Sequence, residues 1–248
     1  MDSYIISNWQ VMIIIITLAA AARYFFVAGG AYFIFYKKGL HYFRKFKIQY
    51  RLPQTKQVKY ELLLSVSTLI IFSAVGTTAY FLFRSGHTKI YLDVTEHGWL
   101  YFICSILAMI MAQDIYFYFT HRLLHTRWML RNFHYVHHKS TNPTPLAAYC
   151  FHPVEAIIES LVVFPFIMIM PVHYAAVLIF TFFVLFLNVF GHLGFEFIPL
   201  RFRYTALGKL FTSPTHHNLH HQNANKNFGY TFTFLDNVLK TLDKKTYL

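Results

Sequence analysis

The sequence has few charged residues and very few cysteines for its length. Only 13% of its 248 residues are Asp, Glu, Lys or Arg, against about 25% in an ordinary soluble domain. So little charge cannot cover the 56% of residues that are hydrophobic, which argues against a soluble enzyme and excludes an intrinsically disordered chain. Cys104 and Cys150 are too few for a disulfide framework or a zinc ribbon. Both lie among apolar residues, as is typical of buried packing positions.

Several motifs of other enzyme classes are also missing. There is no H-E-x-x-H motif of a zinc protease, no G-x-S-x-G nucleophile elbow and no G-x-G-x-x-G loop after a strand. The sequence contains no internal repeat, low-complexity tract or long Gly/Ser linker. We therefore expect one membrane domain over residues 1–248, without a nicotinamide or flavin module of its own.

Long apolar segments are what the sequence does have. A membrane-spanning helix needs about 20 mostly apolar residues, and residues 9–36, 58–83 and 98–119 meet that requirement. Residues 154–193 form an apolar pair around Pro171, which predicts two short spans or a re-entrant hairpin. The expected fold class is an all-α integral membrane protein with four to five membrane-embedded helices and a cytoplasmic histidine-rich helical cap. The first run is longer than the core of a signal peptide, so we expect it to be retained.

The formal net charge of +12 is explained by the positive-inside rule. The loop 37–59 carries eight Lys and Arg and no acid, whereas the loop 84–97 carries two basic residues against two acidic ones. This asymmetry predicts a cytoplasmic first loop, a third helix that returns to the cytoplasm near Thr120, and a cytoplasmic tail from Glu196. A role at lipid headgroups explains the charge better than nucleic-acid binding, for which no signature motif is present.

Most of the 15 histidines fall in three clusters on the predicted cytoplasmic side. On a helix, residues at i, i+3 and i+4 share one face, so each cluster can direct two or three imidazoles to one point. Imidazole is a ligand for iron, zinc, copper and nickel. Eight clustered histidines exceed the four ligands of one zinc site and indicate two metal ions, with His192 as a candidate ninth ligand. The candidate metal ligands are His121, His125, His134, His137, His138, His192, His217, His220 and His221.

The other histidines are isolated. A lone histidine is more often a hydrogen-bonded packing residue than a metal ligand. We apply that interpretation to His41, His87, His97 and His173. His152, beside Pro153, fits local structure and a role near the site equally well, and His216 has no assigned role.

Acidic residues are informative because the chain has only ten. Metal-bound histidines usually donate their other ring nitrogen to a carboxylate or carbonyl. Asp114 lies two helical turns before His121 in an apolar segment, where an ionisable residue is a functional candidate. Asp236 follows the third cluster. Asp114 and Asp236 are therefore the candidate catalytic residues, the alternatives being a contact between helices and a helix cap; Glu155 and Glu159 lie near His152.

The order H-x-x-x-H, H-x-x-H-H, H-x-x-H-H on a membrane scaffold resembles the fatty acid hydroxylase/sterol desaturase superfamily. The resemblance extends from about Gln113 to Thr241 and includes His152-Pro153-x-Glu155 and Asn227-Phe-Gly229. It is strongest to sterol C5-desaturases and C4-methylsterol oxidases, from which Gly191-His192-Leu193-Gly194 and the short soluble tail depart.

The resemblance implies a catalytic region over residues 113–241 with a non-haem di-iron centre, which zinc can occupy in purified protein. It also implies O₂ as co-substrate and hydroxylation or desaturation of a sterol-like or fatty-acyl membrane lipid. Electrons would come from a separate cytochrome b5, ferredoxin or reductase. The membrane would be the endoplasmic reticulum in a eukaryote or the inner membrane in a bacterium.

Two other functions use clustered histidines. One is a histidine-rich membrane metal transporter or metal-binding protein, and the other is a bis-histidine haem protein. Transport sites usually lie near the bilayer midplane on broken helices, whereas these histidines gather beyond the predicted helix ends. A haem needs fewer histidines than are grouped here.

Overall fold

The computed structural model describes residues 8–247, most of which are helical. The helices in chain order are α1 (Trp9–Lys38), α2 (Leu40–Phe43), α3 (Thr55–Arg84), α4 (Gly98–Leu124), α5 (127–138), α6 (Pro153–Ser160), α7 (Val163–Ile169), α8 (Tyr174–Gly191), α9 (Leu200–Arg203), α10 (Pro214–Gln222) and α11 (Phe234–Val238). Short 3₁₀ turns lie at Arg44–Phe46, Val94–Glu96, Pro145–Tyr149, Gly208–Leu210 and Lys244–Tyr247.

Four of these helices, α1, α3, α4 and α8, are long and apolar enough to cross a membrane. Their most apolar 18-residue windows have mean hydropathies between 1.7 and 2.2. Most side chains in these windows are not buried inside the protein, as expected of helices that contact lipid. The predicted all-α membrane architecture is thus confirmed.

The apolar region 154–193 divides into unequal parts. Helices α6 and α7 have 8 and 7 residues, well short of the roughly 20 that a span needs. Strand β2 (Val172–His173) follows and pairs in parallel with β1 (Ile90–Tyr91). Helix α8 then runs for 18 residues to the histidine centre. His173 caps α8, since its Nδ1 accepts from the amide of Ala175 at 3.2 Å, a local role of the kind expected for an isolated histidine.

Polar contacts between the membrane helices and the segment 139–152 position that segment. The hydroxyls of Tyr24 in α1 and Ser65 in α3 both donate to the carbonyl of Leu146, each at 2.8 Å. The buried carboxylate of Glu61 accepts from Thr144 and from Gln57. These bonds fix the backbone between α5 and α6 against the membrane helices, and that backbone contributes to the site described next.

Helix α5 contains a wider turn that sets the direction of its histidines. The chain is α-helical at Arg127–Met129, forms a π-turn at Leu130–His134 and returns to α-helix at Tyr135–His138. A π-turn inserts an extra residue and rotates every side chain after it, and such turns occur frequently at functional sites. Here the π-turn ends at His134, the first histidine of the second cluster, and comes just before His137 and His138.

Candidate metal centre

The three histidine clusters of the sequence lie on three helices that meet at one end of the bundle. His121 lies in the last turn of α4, and His125 follows that helix directly. Helix α10 begins at Pro214, with the Ser213 hydroxyl accepting from the amide of His216 at 3.2 Å. Proline at the first position and serine at the N-cap are strong helix-start signals, so the sequence fixes where the third cluster begins.

All nine histidines predicted as ligands come together, in two adjacent groups. Within each group, one ring nitrogen from every histidine lies within 4.8 Å of the corresponding atoms of the others. Seven of the nine are buried and the other two, His125 and His217, are half-buried, although imidazole is polar. Either group could hold a metal ion. Group A comprises His121, His125, His134, His138 and His220, and group B comprises His137, His192, His217 and His221.

The groups do not follow the sequence clusters. Each i, i+4 pair stays together, with 134/138 in group A and 217/221 in group B. The remaining member of each triplet crosses over, so that His137 of α5 joins group B and His220 of α10 joins group A. The expectation that each triplet converges on one point therefore needs correction, because α5 and α10 lie alongside both groups and each supplies ligand atoms to both.

The Nε2 atoms converge at separations suited to a shared cation. In group B, Nε2 of His192 lies 3.0 Å from that of His217, 3.3 Å from that of His221 and 3.2 Å from that of His137. Metal–nitrogen bonds of about 2.0–2.1 Å place neighbouring ligand nitrogens about 3.0–3.4 Å apart. The spacing in group A is similar, since His138 Nε2 lies 3.2 Å from both His125 Nε2 and His134 Nε2.

The partners of the Nδ1 atoms show which nitrogen of each ring carries the proton. Nδ1 of His137 faces the carbonyl of Cys150 at 3.3 Å, and Nδ1 of His192 faces the carbonyl of Asn188 at 2.7 Å. A carbonyl has only lone pairs, so each Nδ1 must carry the proton and each neutral ring leaves Nε2 bare. Two bare nitrogens 3.2 Å apart cannot hydrogen-bond each other. A cation between them satisfies both.

Burial keeps these rings neutral. Desolvation, reinforced by the neighbouring imidazoles, holds the pKa of His134, His137, His217 and His221 well below the usual 6.5. Burial lowers the pKa of His192 and of His220 to about 4. Neutral imidazole is the form that binds a metal. The Nε2 of His220 is buried and has no hydrogen-bond partner among the described residues, as expected of a lone pair reserved for a cation.

Other Nδ1 atoms also have fixed partners. His134 Nδ1 lies 2.7 Å from a carboxylate oxygen of Glu155. His121 and His220 donate to the carbonyls of Phe228 and Lys226, at 3.2 and 2.7 Å. Such partners set the ring orientation and raise ligand basicity. Glu155 was named near the site in the sequence but was absent from the predicted site residues; its only signal was His152-Pro153-x-Glu155.

The two acids predicted as catalytic residues contact backbone close to group A. Asp114 accepts from the amides of Thr231 and Phe232 at 2.7 and 3.0 Å. Asp236 accepts from the amides of Phe228 and Gly229 at 2.9 and 2.8 Å. Both therefore hold the loop 226–233, whose carbonyls orient two histidines of group A. Neither makes a hydrogen bond to any of the nine predicted ligands in the described chain.

The two histidines without an assigned role differ. His152 caps α6, its Nδ1 accepting from the amide of Val154 at 3.2 Å. His216 is fully buried, with Nε2 3.2 Å from a carboxylate oxygen of Asp236. Neither belongs to group A or group B.

A cavity opens beside both groups. Histidines of each group form one wall, and α6 contributes Glu155 and Glu159. Phe117 of α4, Leu187 of α8 and Tyr230 supply apolar surface. The cavity thus brings apolar side chains and two carboxyl groups next to both groups of histidines.

Comparisons with known proteins agree with this site. The family model for fatty acid hydroxylases matches residues 106–241. Lathosterol oxidase of Rattus norvegicus is 30% identical over 186 residues, covering 73% of this chain and 60% of that protein. The Delta(7)-sterol 5(6)-desaturase ERG3B of Gibberella zeae is 30% identical over 207 residues, covering 83% and 60%.

Saccharomyces cerevisiae has a further relative, the Delta(7)-sterol 5(6)-desaturase ERG3, which is 29% identical over 184 residues, covering 73% of this chain and 48% of that protein. The chain thus spans about 60% or less of the length of these relatives. No solved structure matches it significantly. The family match over more than half the chain, together with these relatives, shows that the chain belongs to the fatty acid hydroxylase/sterol desaturase superfamily and is similar to its sterol desaturases.

Proposed function

We propose that this protein is an oxidoreductase that uses O₂ to hydroxylate or desaturate a C–H bond of a sterol-like membrane lipid at a centre of two iron ions. The observation that carries the proposal is the pair of histidine groups beside a cavity lined in part by residues of the membrane helices α4 and α8. The names of the relatives, a lathosterol oxidase and Delta(7)-sterol 5(6)-desaturases, support a sterol as substrate.

The residues present fit two iron ions. Group A offers five imidazoles and group B four, all neutral by burial, and imidazole suits iron as well as zinc. When bound, the two ions would supply the redox chemistry that activates O₂. Histidines of α4, α5 and α10 would hold the ion of group A. Histidines of α5 and α10, together with His192 at the end of α8, would hold the ion of group B.

The chain's own residues orient the ligands and exclude water. Glu155 holds the Nδ1 proton of His134, which directs the other ring nitrogen into group A. The aromatic rings of Phe117 and Tyr230, whose centroids are 4.6 Å apart, close one side of the cavity. A dry, rigid enclosure matters because misplacing the reacting carbon by about 1 Å can cost about 10²-fold in rate.

Electrons must reach the centre from a separate donor, for which we propose a cytochrome b5, a ferredoxin or a reductase. The basic loop 37–59 places positive charge on the end of the bundle that we assign to the cytoplasm, where an acidic donor would dock. Turnover with such a donor should fall as salt rises. Turnover independent of salt would contradict docking through this loop.

The first test is metal content together with lathosterol oxidation. Protein purified without added metal or chelator should contain about two metal ions per chain, with iron giving activity and zinc giving none. Wild-type protein supplied with O₂ and an electron donor should oxidise lathosterol. His137→Ala should abolish that reaction while the protein stays in the membrane, and the exposed His41→Ala should leave it unchanged.

The same preparation separates the other functions. Metal flux into vesicles without lipid oxidation would favour a transporter and contradict the proposal. A Soret band would indicate haem. Well-folded protein with almost no bound metal would contradict the metal centre itself.

A further inference from the structure

One wall of the cavity carries a pair of carboxyl groups. Glu155 and Glu159 are separated by one turn of α6, so both point to the same side of the helix. Both line the cavity together with histidines of groups A and B. The opposite face of α6 carries Ile157, which is 47% exposed.

The two carboxyl groups have different surroundings. Glu155 is 1% exposed, and one of its oxygens pairs with His134 while the other, Oε2, is buried without a partner. Glu159 forms no hydrogen bond or ion pair with any described residue. Oε2 of Glu155 and both oxygens of the half-buried Glu159 thus retain unused hydrogen-bonding capacity at the cavity wall. Because an unpaired buried polar group costs free energy, the buried Oε2 indicates a polar ligand in this cavity, and Glu159 is free to bind the same ligand.

The other polar side chains of the cavity are already occupied. The Tyr230 hydroxyl donates to the carbonyl of Val184. The Asn188 amide donates to the carbonyl of Ala148 at 2.7 Å, and the Thr212 hydroxyl donates to the carbonyl of Tyr230 at 2.7 Å. Among the described residues that line the cavity apart from the histidines, Glu159 is therefore the side chain with both carboxyl oxygens free.

We propose that Glu159 binds a hydroxyl group of the substrate and so determines which carbon is presented to the metal centre. This inference rests on the proposed function. Because Glu159 shares one small cavity with histidines of both groups, a hydroxyl bound to it places the oxidised carbon only a few bonds away. The proposal therefore predicts oxidation near the hydroxyl end of the lipid rather than along its apolar tail.

The chemistry of a buried carboxyl group suits a hydroxyl partner. Burial raises the pKa of Glu159 to about 8, so the group is largely protonated at neutral pH. A protonated carboxyl both donates and accepts a hydrogen bond, and an alcohol does the same. A cationic or phosphate group would find no matching charge on this wall. The 3-hydroxyl of a sterol, close to the 5(6) bond, has the required chemistry and position.

The test compares lathosterol with its 3-deoxy analogue, in wild type and in variants of α6. Equilibrium binding is measured by thermal stabilisation of the purified protein, and oxidation is measured separately by product analysis. Wild type should bind the deoxy analogue about 10-fold more weakly than lathosterol, as expected for one lost hydrogen bond at a buried group. Glu159→Leu should weaken lathosterol binding by a similar factor while leaving binding of the deoxy analogue unchanged or stronger.

Two further variants keep the result interpretable. Glu159→Gln can still donate and accept, so it should retain most of the preference for lathosterol even if Glu159→Leu folds poorly. Ile157→Ala, on the opposite face of the same helix, should change neither ligand's binding. Metal content should be unchanged in all three variants, because no Glu159 contact orients a histidine.

Each outcome has a distinct meaning. Equal binding of the two ligands by wild type, or equal weakening of both by Glu159→Leu, would overturn the role of Glu159 while leaving lathosterol oxidation intact. Wild-type protein that holds metal but neither binds nor oxidises lathosterol would overturn the proposed sterol substrate and this inference with it. Oxidation of lathosterol far from its hydroxyl would also overturn the inference.

Discussion

Glu155 is the carboxylate that touches a candidate metal ligand, at 2.7 Å from His134. Asp114 and Asp236 act one step further out, by holding the backbone of the loop 226–233. A carboxylate that accepts from imidazole makes the ring a better ligand, whereas one that accepts from backbone amides fixes the shape of a loop. The three acids therefore stabilise the same centre by different means.

Glu155→Gln should weaken metal binding in group A by about 10- to 100-fold, because it replaces the carboxyl group that pairs with His134 Nδ1 by an amide and preserves the side-chain shape. The measurement is metal retained per chain during titration with a chelator. Glu96→Gln is a matched control, since Glu96 is exposed and precedes the start of α4, at the opposite end of that helix from His121. Unchanged retention in Glu155→Gln would show that the contact has no influence on the centre.

At the scale of elements, the main feature is that the histidines of one helix are divided between the two groups. Each of α5 and α10 contributes histidines to both groups, so either helix carries part of each site. Moving one of these helices would disturb both groups together, whereas replacing a single histidine should disturb only one.

His137→Ala should lower the metal content from about two ions per chain to about one, because it leaves group B with three imidazoles. His220→Ala leaves group A with four imidazoles and should weaken metal binding there without emptying the group, although neighbouring residues on the same helices serve the opposite group. Elemental analysis gives the stoichiometry, and His41→Ala serves as the control. Loss of both ions in His137→Ala would mean that the two groups are strongly coupled.

The loop after α10 depends on the chain that follows α11. Asp236 also accepts from the Thr241 hydroxyl at 2.7 Å, and the Asn227 amide donates to Thr246 at 3.0 Å. Asp236→Asn should therefore release the carbonyls that orient His121 and His220. We expect a lower affinity for metal in group A with little change in group B. Equal loss from both groups would instead indicate general unfolding.

At the scale of the whole molecule, the buried neutral histidines link stability to pH. The pKa of His192 and of His220 is about 4 in the folded chain, whereas an exposed histidine titrates near 6.5. Protons then bind the unfolded chain preferentially below pH 6.5, and folding loses stability as the pH falls from there towards 4. Above pH 6.5 these histidines are neutral in both the folded and the unfolded chain, so they do not lower the free energy of unfolding there.

Metal-free protein in detergent should accordingly unfold at a lower temperature at about pH 5.5 than at about pH 7.5, losing roughly 1 kcal/mol per such histidine. Adding zinc at the higher pH should raise the unfolding temperature, because the ion binds only the folded chain. A melting temperature independent of pH in the metal-free protein would show that the rings are not held neutral by burial.

Sequence patterns predicted the membrane helices and which nine histidines come together, but not how these histidines are divided between two groups. Apolar runs specify spans directly, and i, i+4 spacing specifies which imidazoles share a helix face. The crossing of His137 and His220 depends on how α5 and α10 approach each other, which spacing within one helix does not contain. Glu155 and His134 are 21 residues apart in the sequence, so no local pattern links the two residues.

Asp114 illustrates the same limit. Its spacing of seven residues places it on the face of α4 that carries His121, and both side chains do contact the loop 226–233. Helical periodicity therefore identified the face, but the partner comes from more than a hundred residues later in the chain.

The crossing of ligands between α5 and α10 has a consequence for biosynthesis. Residues 121–138 supply four of the five histidines of group A, whereas group B has only His137 before residue 192. A ribosome therefore synthesises four of the five ligands of group A long before it completes group B. Both remain open until residues 214–222 have been translated and folded back onto the membrane-inserted helices. Loading should thus be ordered in time, with group A acquiring its ion first and the final helix sealing both.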